Sequence, residues 1–361
     1  MRTKDSNDAR RVRHDNAAHT NGTPRKSPSQ PHELSDAERE QLRVYLSNNA
    51  NPFEITTYAP SKKRKRSSTP MLSENDIFEP RLSVNYEIKP ANHWESLRRY
   101  KKFTVGSESI AVGECILVKH DDSEPAKLDV GAQWKAKVLE VRALDSEHVY
   151  IRVAWLNRPE DLRGGRKAYH GKNELVPTNQ MDIIDAMTVN GRLEIYHWNE
   201  EDDDSPMPGK DEYFWRQTYD FVSTKTFSKL RLICVDEAPQ NPDEIILQCP
   251  DPDCRKWLHV KCIAEDAVAR ANNDLPARGK RKSTGPTPKK RSTLTDPSIS
   301  PNSAAQAIAL NGLVTAEVFI RGLPDGPDEH PAENTEIVLT SEDGEKRSES
   351  ICCLFCHTAI E

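Results

Sequence analysis

Short apolar runs rich in β-branched residues alternate with turn-forming segments between residues 84 and 230. The first four runs cover 110–112, 115–118, 136–141 and 149–155, and turn signals such as HDDSEP and LDSEH separate them. Two further runs, LEIYHW and YFWRQTY, follow at 193–198 and 213–219. Short strands at this spacing predict an all-β sandwich or barrel. All but one of the six tryptophans lie in the same region, where a core is expected.

The pattern before this region is different. Residues 1–83 lack sustained periodicity and are rich in Ser, Asn, Pro, Arg and Lys, which predicts a disordered basic tail. One local exception is Ser35 with Glu38, a capping-box start that is followed by Leu42, Tyr45 and Leu46 and predicts about three turns of helix. Two interpretations of it stay open: a marginal helix in a disordered tail, or a docking helix for a partner.

Composition limits how much more of the chain folds. The hydrophobic fraction is 35% and the charged fraction 30%, so the chain can bury one good core and a small second one. The stretch 268–350 is therefore interpreted as a low-complexity insert. Within it, 316–320 and 336–340 could pair as a small hairpin.

The net charge of −6 says little, because the charge is segregated along the chain. A basic run in the tail predicts a nuclear import signal, with a merely solvated charge run as the alternative. The run consists of Lys62, Lys63, Arg64, Lys65 and Arg66. A second segment at 278–291, RGKRKSTGPTPKKR, carries seven basic residues and no acidic one. It is a second import candidate or an electrostatic anchor for DNA phosphates.

Membrane and secretory signals are both missing from the sequence pattern. No stretch approaches 18 consecutive apolar residues, and the N-terminus has no apolar signal segment. We therefore expect no membrane partner and no oxidising compartment. The eight cysteines are then interpreted as metal ligands or free thiols.

One segment carries a family resemblance. VYIRVAWLNRPEDLRGGRKAYHGKNELVPTNQMDII resembles the signature of the bromo-adjacent-homology (BAH) domain, a strand ending in Trp-x-x-Arg-Pro-Glu followed by His-Gly-x-x-Glu-Leu. The resemblance covers roughly 84–230 and implies a distorted β-barrel. With a cysteine-rich finger directly after it, the arrangement is similar to the plant and fungal BAH–PHD readers of polycomb-type histone methylation. The fungal effector-of-polycomb-repression type is the kind it resembles.

The resemblance also implies a binding site. Readers of this family hold trimethyl-lysine in an aromatic cage, and the first two cage positions fall on Trp134 and Trp155. The third position, usually aromatic, falls on Asn157, which shares a strand face with Trp155. Losing this wall predicts weaker trimethyl-lysine binding or a shift towards a lower methylation state. His170 falls where relatives contact the histone peptide, although it could equally be a structural histidine in a turn. For both tryptophans, the alternative to a role in the cage is packing in the core.

The cysteine-rich region (231–267 and 351–361) resembles a PHD-type zinc finger, which binds two zinc ions in a cross-braced pattern. The resemblance assigns Cys249, Cys254, Cys353 and Cys356 to one site, and Cys234, Asp236, His259 and Cys262 to the other. Asp236 stands where a cysteine is usual, so that site is predicted to be weak or absent, since carboxylate is a less favoured zinc ligand than thiolate. A finger that has lost its metal is the alternative. Cys352 and His357 are spare candidates, and Cys115 is predicted to be inert core.

Together these features favour a nuclear, non-catalytic chromatin protein that recognises a histone tail or nucleosome in gene silencing. A scaffold or nucleosome-surface binder without methyl-lysine reading is the alternative. A RING-like ubiquitin ligase is disfavoured, because a RING opens with Cys-x-x-Cys and this region opens Cys234-x-Asp236. No Gly-rich phosphate loop, nucleophile elbow or HExxH motif occurs in the sequence, which also disfavours other enzymes.

Overall fold

The computed structural model describes residues 34–60, 71–78, 82–119, 129–274, 307–310, 314–322 and 332–361. Its helices are α1 (Asp36–Asn48), α2 (Ala91–Ser96) and α3 (Val260–Asp274), with short 3-10 turns at Pro159–Asp161 and Ala186–Thr188. The first strands are β1 (Glu54–Tyr58), β2 (Leu72–Glu74), β3 (Val84–Lys89), β4 (Arg98–Tyr100), β5 (Lys102–Val105), β6 (Glu108–Ala111), β7 (Cys115–Val118), β8 (Trp134–Ala143), β9 (Val149–Asn157), β10 (Val176–Asp185) and β11 (Val189–Leu193). The later strands are β12 (Tyr196–His197), β13 (Phe214–Trp215), β14 (Leu232–Ile233), β15 (Ala238–Pro239), β16 (Ile246–Gln248), β17 (Trp257–His259), β18 (Ala307–Leu310), β19 (Val314–Phe319), β20 (Glu336–Ser341) and β21 (Lys346–Ser350). The predicted mainly β class is confirmed.

A six-stranded antiparallel sheet forms the centre of the β domain (84–230). Its order is β10-β9-β8-β7-β11, and β4 pairs with β8 beside β7. Alternate residues of the long strands β8 and β9 point to one face, where Val138, Val153 and Ile116 are fully buried. The β5–β6 hairpin closes this core with Phe103 and Ile110. The opposite face of the same sheet packs on a second, larger core.

That larger core includes segments predicted to be disordered. Helix α1 has the predicted capping box between Ser35 and Glu38, and its Leu42 and Leu46 are buried. Phe53 packs edge-on against Trp94, with ring centroids 5.2 Å apart. Strands β1 and β2 flank β3 in a three-stranded sheet. The prediction of disorder over 1–83 is therefore wrong for 34–60 and 71–78, because their apolar side chains pack against the β domain of the same chain.

The helix α1 thus docks within its own chain, which neither interpretation of it anticipated. The basic run from Lys62 to Arg66 and the basic segment 278–291 lie outside the described residues, so both stay predictions. No helix of the described ranges is long and apolar enough to cross a membrane.

A second lobe holds the cysteine-rich region and part of the predicted insert. Strands β18–β21 form a four-stranded sheet in sequence order, and its Ala316, Val318 and Ile337 are buried in one cluster with residues of α3. The expected hairpin is confirmed, because β19 pairs with β20 and Ala316 lies opposite Leu339. The interpretation of 268–350 as low-complexity insert is thus wrong for 268–274 and these strands, because apolar residues of β19 and β20 pack against α3.

Candidate functional site

A cavity opens at one edge of the β domain, where strand β8 begins and strand β9 ends. The register places Ala136 opposite Trp155 and Lys135 opposite Leu156 at this end. On the other side of β9, Asp182 of β10 lies opposite Val153. Residues opposite each other in an antiparallel pair share a face, so the side chains of Trp155 and Asp182 emerge on the same side of the sheet. The cavity there has a volume of about 700 Å³.

Two indole rings form the apolar walls of this cavity, which we call the Trp pocket. It is lined by Gly131, Ala132, Gln133, Trp134, Lys135, Trp155, Leu156, Asn157, Arg158, Asp161, Gln180 and Asp182. The rings of Trp134 and Trp155 are 5.7 Å apart at their centroids and nearly perpendicular, at 79°. Trp134 is 50% exposed, while Trp155 is half-buried against the barrel core. Two π faces at an angle form a corner that can receive a cation.

The remaining wall of the Trp pocket is polar. The Nδ2 of Asn157 is buried and has no hydrogen-bond partner among the described residues. The Asp182 carboxylate accepts one hydrogen bond, from the Ile183 amide at 2.8 Å, and forms no ion pair within the described residues. Partial loss of solvation raises the pKa of Asp182, although the residue stays exposed to solvent. Asp161, by contrast, is already paired with Arg158 at 3.0 Å.

A buried lysine holds the loop that carries Trp134. Lys135 is 2% exposed, and its Nζ donates to the carbonyl oxygens of Val130 (2.7 Å), Gly131 (3.1 Å) and Gln133 (2.9 Å). Burial lowers the pKa of Lys135 to about 8. Sequence reasoning missed this residue, because a lysine beside a tryptophan in a strand gives no signal that its ammonium turns back onto the backbone.

His170 does not join the Trp pocket. It is 4% exposed, its Nδ1 accepts a hydrogen bond from the Lys167 amide at 2.8 Å, and its ring packs beside those of Tyr169 and Phe227. Burial and nearby cations, Arg166 foremost, lower the pKa of His170 to about 4. The Nε2 of His170 is buried, with no hydrogen-bond partner within the described ranges. This geometry resembles the turn-histidine alternative more than a peptide contact.

A buried ion cluster supports the His170 loop from below. The Arg216 guanidinium donates to Glu174 at 3.3 Å, to Glu200 at 2.8 Å and to the carbonyl of Tyr169 at 2.6 Å. The side chains of Arg216 and Glu174 have no solvent exposure at all. Glu200 also accepts the backbone amide of Arg231, which links the cluster to the start of the cysteine-rich region. The sequence gives no signal of this ion cluster, since its members are far apart along the chain.

The cysteine-rich region docks directly on this loop. The Asp243 carboxylate accepts the Lys172 amide at 2.5 Å, and Asn241 Nδ2 donates to the Ala168 carbonyl at 2.9 Å. Between these contacts lies Gly171, where an added Cβ would come within about 3 Å of both Phe214 and Pro242. Only a glycine allows so close an approach.

The structure brings both predicted metal-ligand sets together. Within each set, one ligand atom from every residue lies within 4.8 Å of the others. In the all-cysteine set, Cys249 and Cys356 have sulfurs 3.5 Å apart, and Cys254 and Cys353 have sulfurs 3.8 Å apart. Tetrahedral zinc with Zn–S bonds of about 2.3 Å requires a sulfur separation of about 3.8 Å, so this set fits the ion.

The mixed set is also compact. His259 Nδ1 lies 3.1 Å from Asp236 Oδ1 and 3.8 Å from the Cys262 sulfur, and Cys234 completes the group. These residues could hold a zinc ion, with an oxygen ligand in place of a thiolate. The spare candidates Cys352 and His357 belong to neither set. Burial raises the pKa of Cys115 to about 11, as expected for a thiol that stays protonated.

Comparison with known proteins points to one family. A BAH-domain profile matches residues 108–231. The chain is 30% identical over 171 residues to "Chromatin remodeling protein SHL" of Arabidopsis thaliana, covering 47% of this chain and 71% of that protein. It is 28% identical over 156 residues to "Chromatin remodeling protein EBS" of the same plant, covering 43% of this chain and 62% of that protein. Among solved structures, the yeast Rsc2 BAH domain aligns with a TM-score of 0.26 and 18% identity, over 37% of this chain and 55% of that one.

Proposed function

Because this chain belongs to the BAH-domain family, we propose that it is a non-catalytic chromatin-binding protein that recognises a histone tail through a methylated lysine, in gene silencing. Two observations support chromatin binding: the match to the BAH profile, and the names of its two plant relatives as chromatin remodeling proteins. The observation that carries methyl-lysine recognition is the pair of indole rings in the Trp pocket.

The chemistry of the ligand explains why such a pocket suits it. Methylation leaves the lysine charge in place but removes N–H donors, so a fully methylated ammonium cannot be recognised by hydrogen bonds. The face of an indole attracts the cation by about 0.5–2 kcal/mol. Trp134 and Trp155 offer two such faces, and Lys135 keeps the loop of Trp134 in place through its three hydrogen bonds. We assign the two tryptophans and Asn157 to the lysine site.

His170 belongs to the proposal in a different role. It is buried under the loop that the cysteine-rich region covers, so we assign it to the support of the peptide-binding surface.

The cysteine-rich region is proposed to be a PHD-type finger that holds two zinc ions. Cys249, Cys254, Cys353 and Cys356 are the ligands of the stronger site, and Cys234, Asp236, His259 and Cys262 are those of the weaker one. Zinc would have a structural role here, because it would join strands of only two or three residues. The hydrogen bonds of Asp243 and Asn241 to residues 172 and 168 connect the finger to the β domain.

We also propose that the protein acts in the nucleus, with the basic run at 62–66 as its import signal. The basic segment 278–291 adds a non-specific contact to DNA, whose strength depends on salt.

The test is titration calorimetry of the full chain with histone H3 tail peptides that carry the polycomb-target lysine unmodified or methylated. We expect micromolar binding of a methylated form that is at least tenfold tighter than binding of the unmodified peptide. Trp155→Ala should abolish this difference, while Phe221→Ala, which removes a partly exposed ring outside the pocket, should not. Equal binding of all forms by the unaltered chain would overturn methyl-lysine reading and favour the scaffold alternative.

A further inference from the structure

Two aromatic walls surround only part of an ammonium group. Trp134 and Trp155 meet at 79°, so each ring can cover one side of a cation lodged in their corner. A methyl group gains from such a ring by dispersion and by the attraction of its partial positive charge to the π face. Two rings therefore accommodate two methyl groups. A third methyl group must face what lies opposite the corner.

The Trp pocket also has polar lining residues. Asp182 is on the same face of the sheet as Trp155, because it pairs with Val153, two residues before that tryptophan. Both Asp182 and Asn157 line the Trp pocket. The Asp182 carboxylate has no cation beside it within the described residues. The Nδ2 of Asn157 is buried, and no acceptor for it lies in the part of the chain that the structure describes. Among the described residues the Asp182 carboxylate accepts only the Ile183 amide and has no cation partner, and Asn157 Nδ2 has no acceptor, which indicates a ligand that carries polar hydrogen-bonding groups as well as methyl groups.

Charge alone does not choose between methylation states. Dimethyl- and trimethyl-lysine both carry one positive charge near neutral pH, so the Coulomb attraction of Asp182 is similar for both. The difference is a single N–H, which the dimethyl form keeps and the trimethyl form lacks. A carboxylate that accepts this N–H forms a charge-assisted hydrogen bond, which is stronger than a neutral one.

We propose that the Trp pocket selects dimethyl-lysine, with its two methyl groups on Trp134 and Trp155 and its remaining N–H donated to the Asp182 carboxylate. This inference rests on the proposed function and names the ligand of the same site. A trimethyl group places a methyl against the carboxylate and has no N–H to donate to it, which costs affinity. Monomethyl-lysine keeps the N–H but covers only one ring.

The experiment compares the four methylation states of one histone H3 tail peptide by calorimetry with the full chain. We expect the dimethyl peptide to bind roughly tenfold tighter than the trimethyl peptide, the ratio that one charge-assisted hydrogen bond provides. Asp182→Ala should weaken both and bring their ratio close to one. Glu194→Ala removes a well-exposed carboxylate outside the pocket and should leave the ratio unchanged.

A second variant tests the other polar wall. Asn157→Tyr adds a third ring and should raise affinity for the trimethyl peptide above that for the dimethyl one. Trimethyl binding equal to or tighter than dimethyl binding by the unaltered chain would overturn this inference and leave methyl-lysine reading intact. Failure of every methylated peptide to bind better than the unmodified one would overturn both. Circular dichroism of each variant, matching that of the unaltered chain, assigns any change in ratio to the pocket.

Discussion

Replacing Arg216 by methionine should strongly destabilise the chain, because one guanidinium neutralises two buried carboxylates. Arg216 and Glu174 have fully buried side chains, and Glu200 is nearly buried. The substitution keeps most of the side-chain volume but leaves both acids without their cation. It also removes the hydrogen bond to the Tyr169 carbonyl.

The magnitude follows from the burial. Removing one partner of a buried ion pair costs about 3–5 kcal/mol, because the other charge is left uncompensated. Burial already raises the pKa of Glu200 despite the presence of Arg216, so this carboxylate depends on its partner to stay ionised. A loss of this size is a large part of the ~5–15 kcal/mol that typically stabilises a folded protein.

Urea unfolding measures the effect. Tryptophan fluorescence reports on this region, because the centre of the Trp198 ring lies 5.3 Å from the Arg216 guanidinium. Arg192→Met is the matched control: that arginine pairs with Glu114 and Glu194 at the surface and should cost ~0–1 kcal/mol. Adding Glu174→Gln to the Arg216 variant should restore part of the loss, because one stranded charge disappears. A free energy of unfolding within about 0.5 kcal/mol of the unaltered chain would refute the reasoning.

Three further predictions concern the support of the site. The pKa of His170 is about 4 in the folded chain and about 6.5 when unfolded, so the unfolded state binds the proton first. Stability should therefore fall by about 2 kcal/mol from pH 7 to pH 5, and thermal unfolding of His170→Gln should lack this component; an unchanged pH dependence would contradict it. Gly171→Ala should cost about 1–3 kcal/mol by overpacking, whereas Gly131→Ala, which meets only an exposed carboxylate, should cost less in the same melt. Elemental analysis should find two zinc ions per chain, Cys254→Ser should remove one, and mild chelation should remove the Asp236 site first; retention of both ions by Cys254→Ser would contradict the assignment.

The strand pattern predicted the centre of the fold because its information is local. A β-branched run between turn signals forms a strand in almost any context, and the period of two decides which residues share a face. The placement of Trp155 and Asn157 on one face of their strand follows from that period. The meeting of Trp134 with Trp155 was expected from the family resemblance, and the register of β8 and β9 accounts for it.

The segments that sequence reasoning missed depend on partners far along the chain. Leu42 and Phe53 belong to sparse apolar patterns that predict little by themselves, yet each is buried against the β domain. The same holds for Val318 and Ile337, which are apolar positions in a polar stretch that become buried only because α3 lies beneath them. Composition averages over such residues and therefore underestimates how much of a chain folds.

The polar groups of the site were the hardest to predict. A carboxylate in a strand, such as Asp182, gives no signal of its neighbours, and only the register places it on the same side of the sheet as Trp155. Lys135 binds backbone carbonyls, and Arg216 pairs with acids far along the chain. No sequence spacing predicts either kind of contact. The two sets of candidate metal ligands, in contrast, were assigned through the resemblance to a PHD-type finger, and the structure brings the members of each set close together.

The central claim is that the Trp pocket recognises a methylated histone tail. Its most direct test is a competition between methylated and unmodified mononucleosomes, distinguishable by label, for the full chain and for the double variant Trp134→Ala, Trp155→Ala. The account predicts that the full chain retains the methylated particle preferentially at physiological salt and that the double variant retains both equally. Equal retention of both particles by the unaltered chain, with binding that disappears as salt is raised, would contradict it.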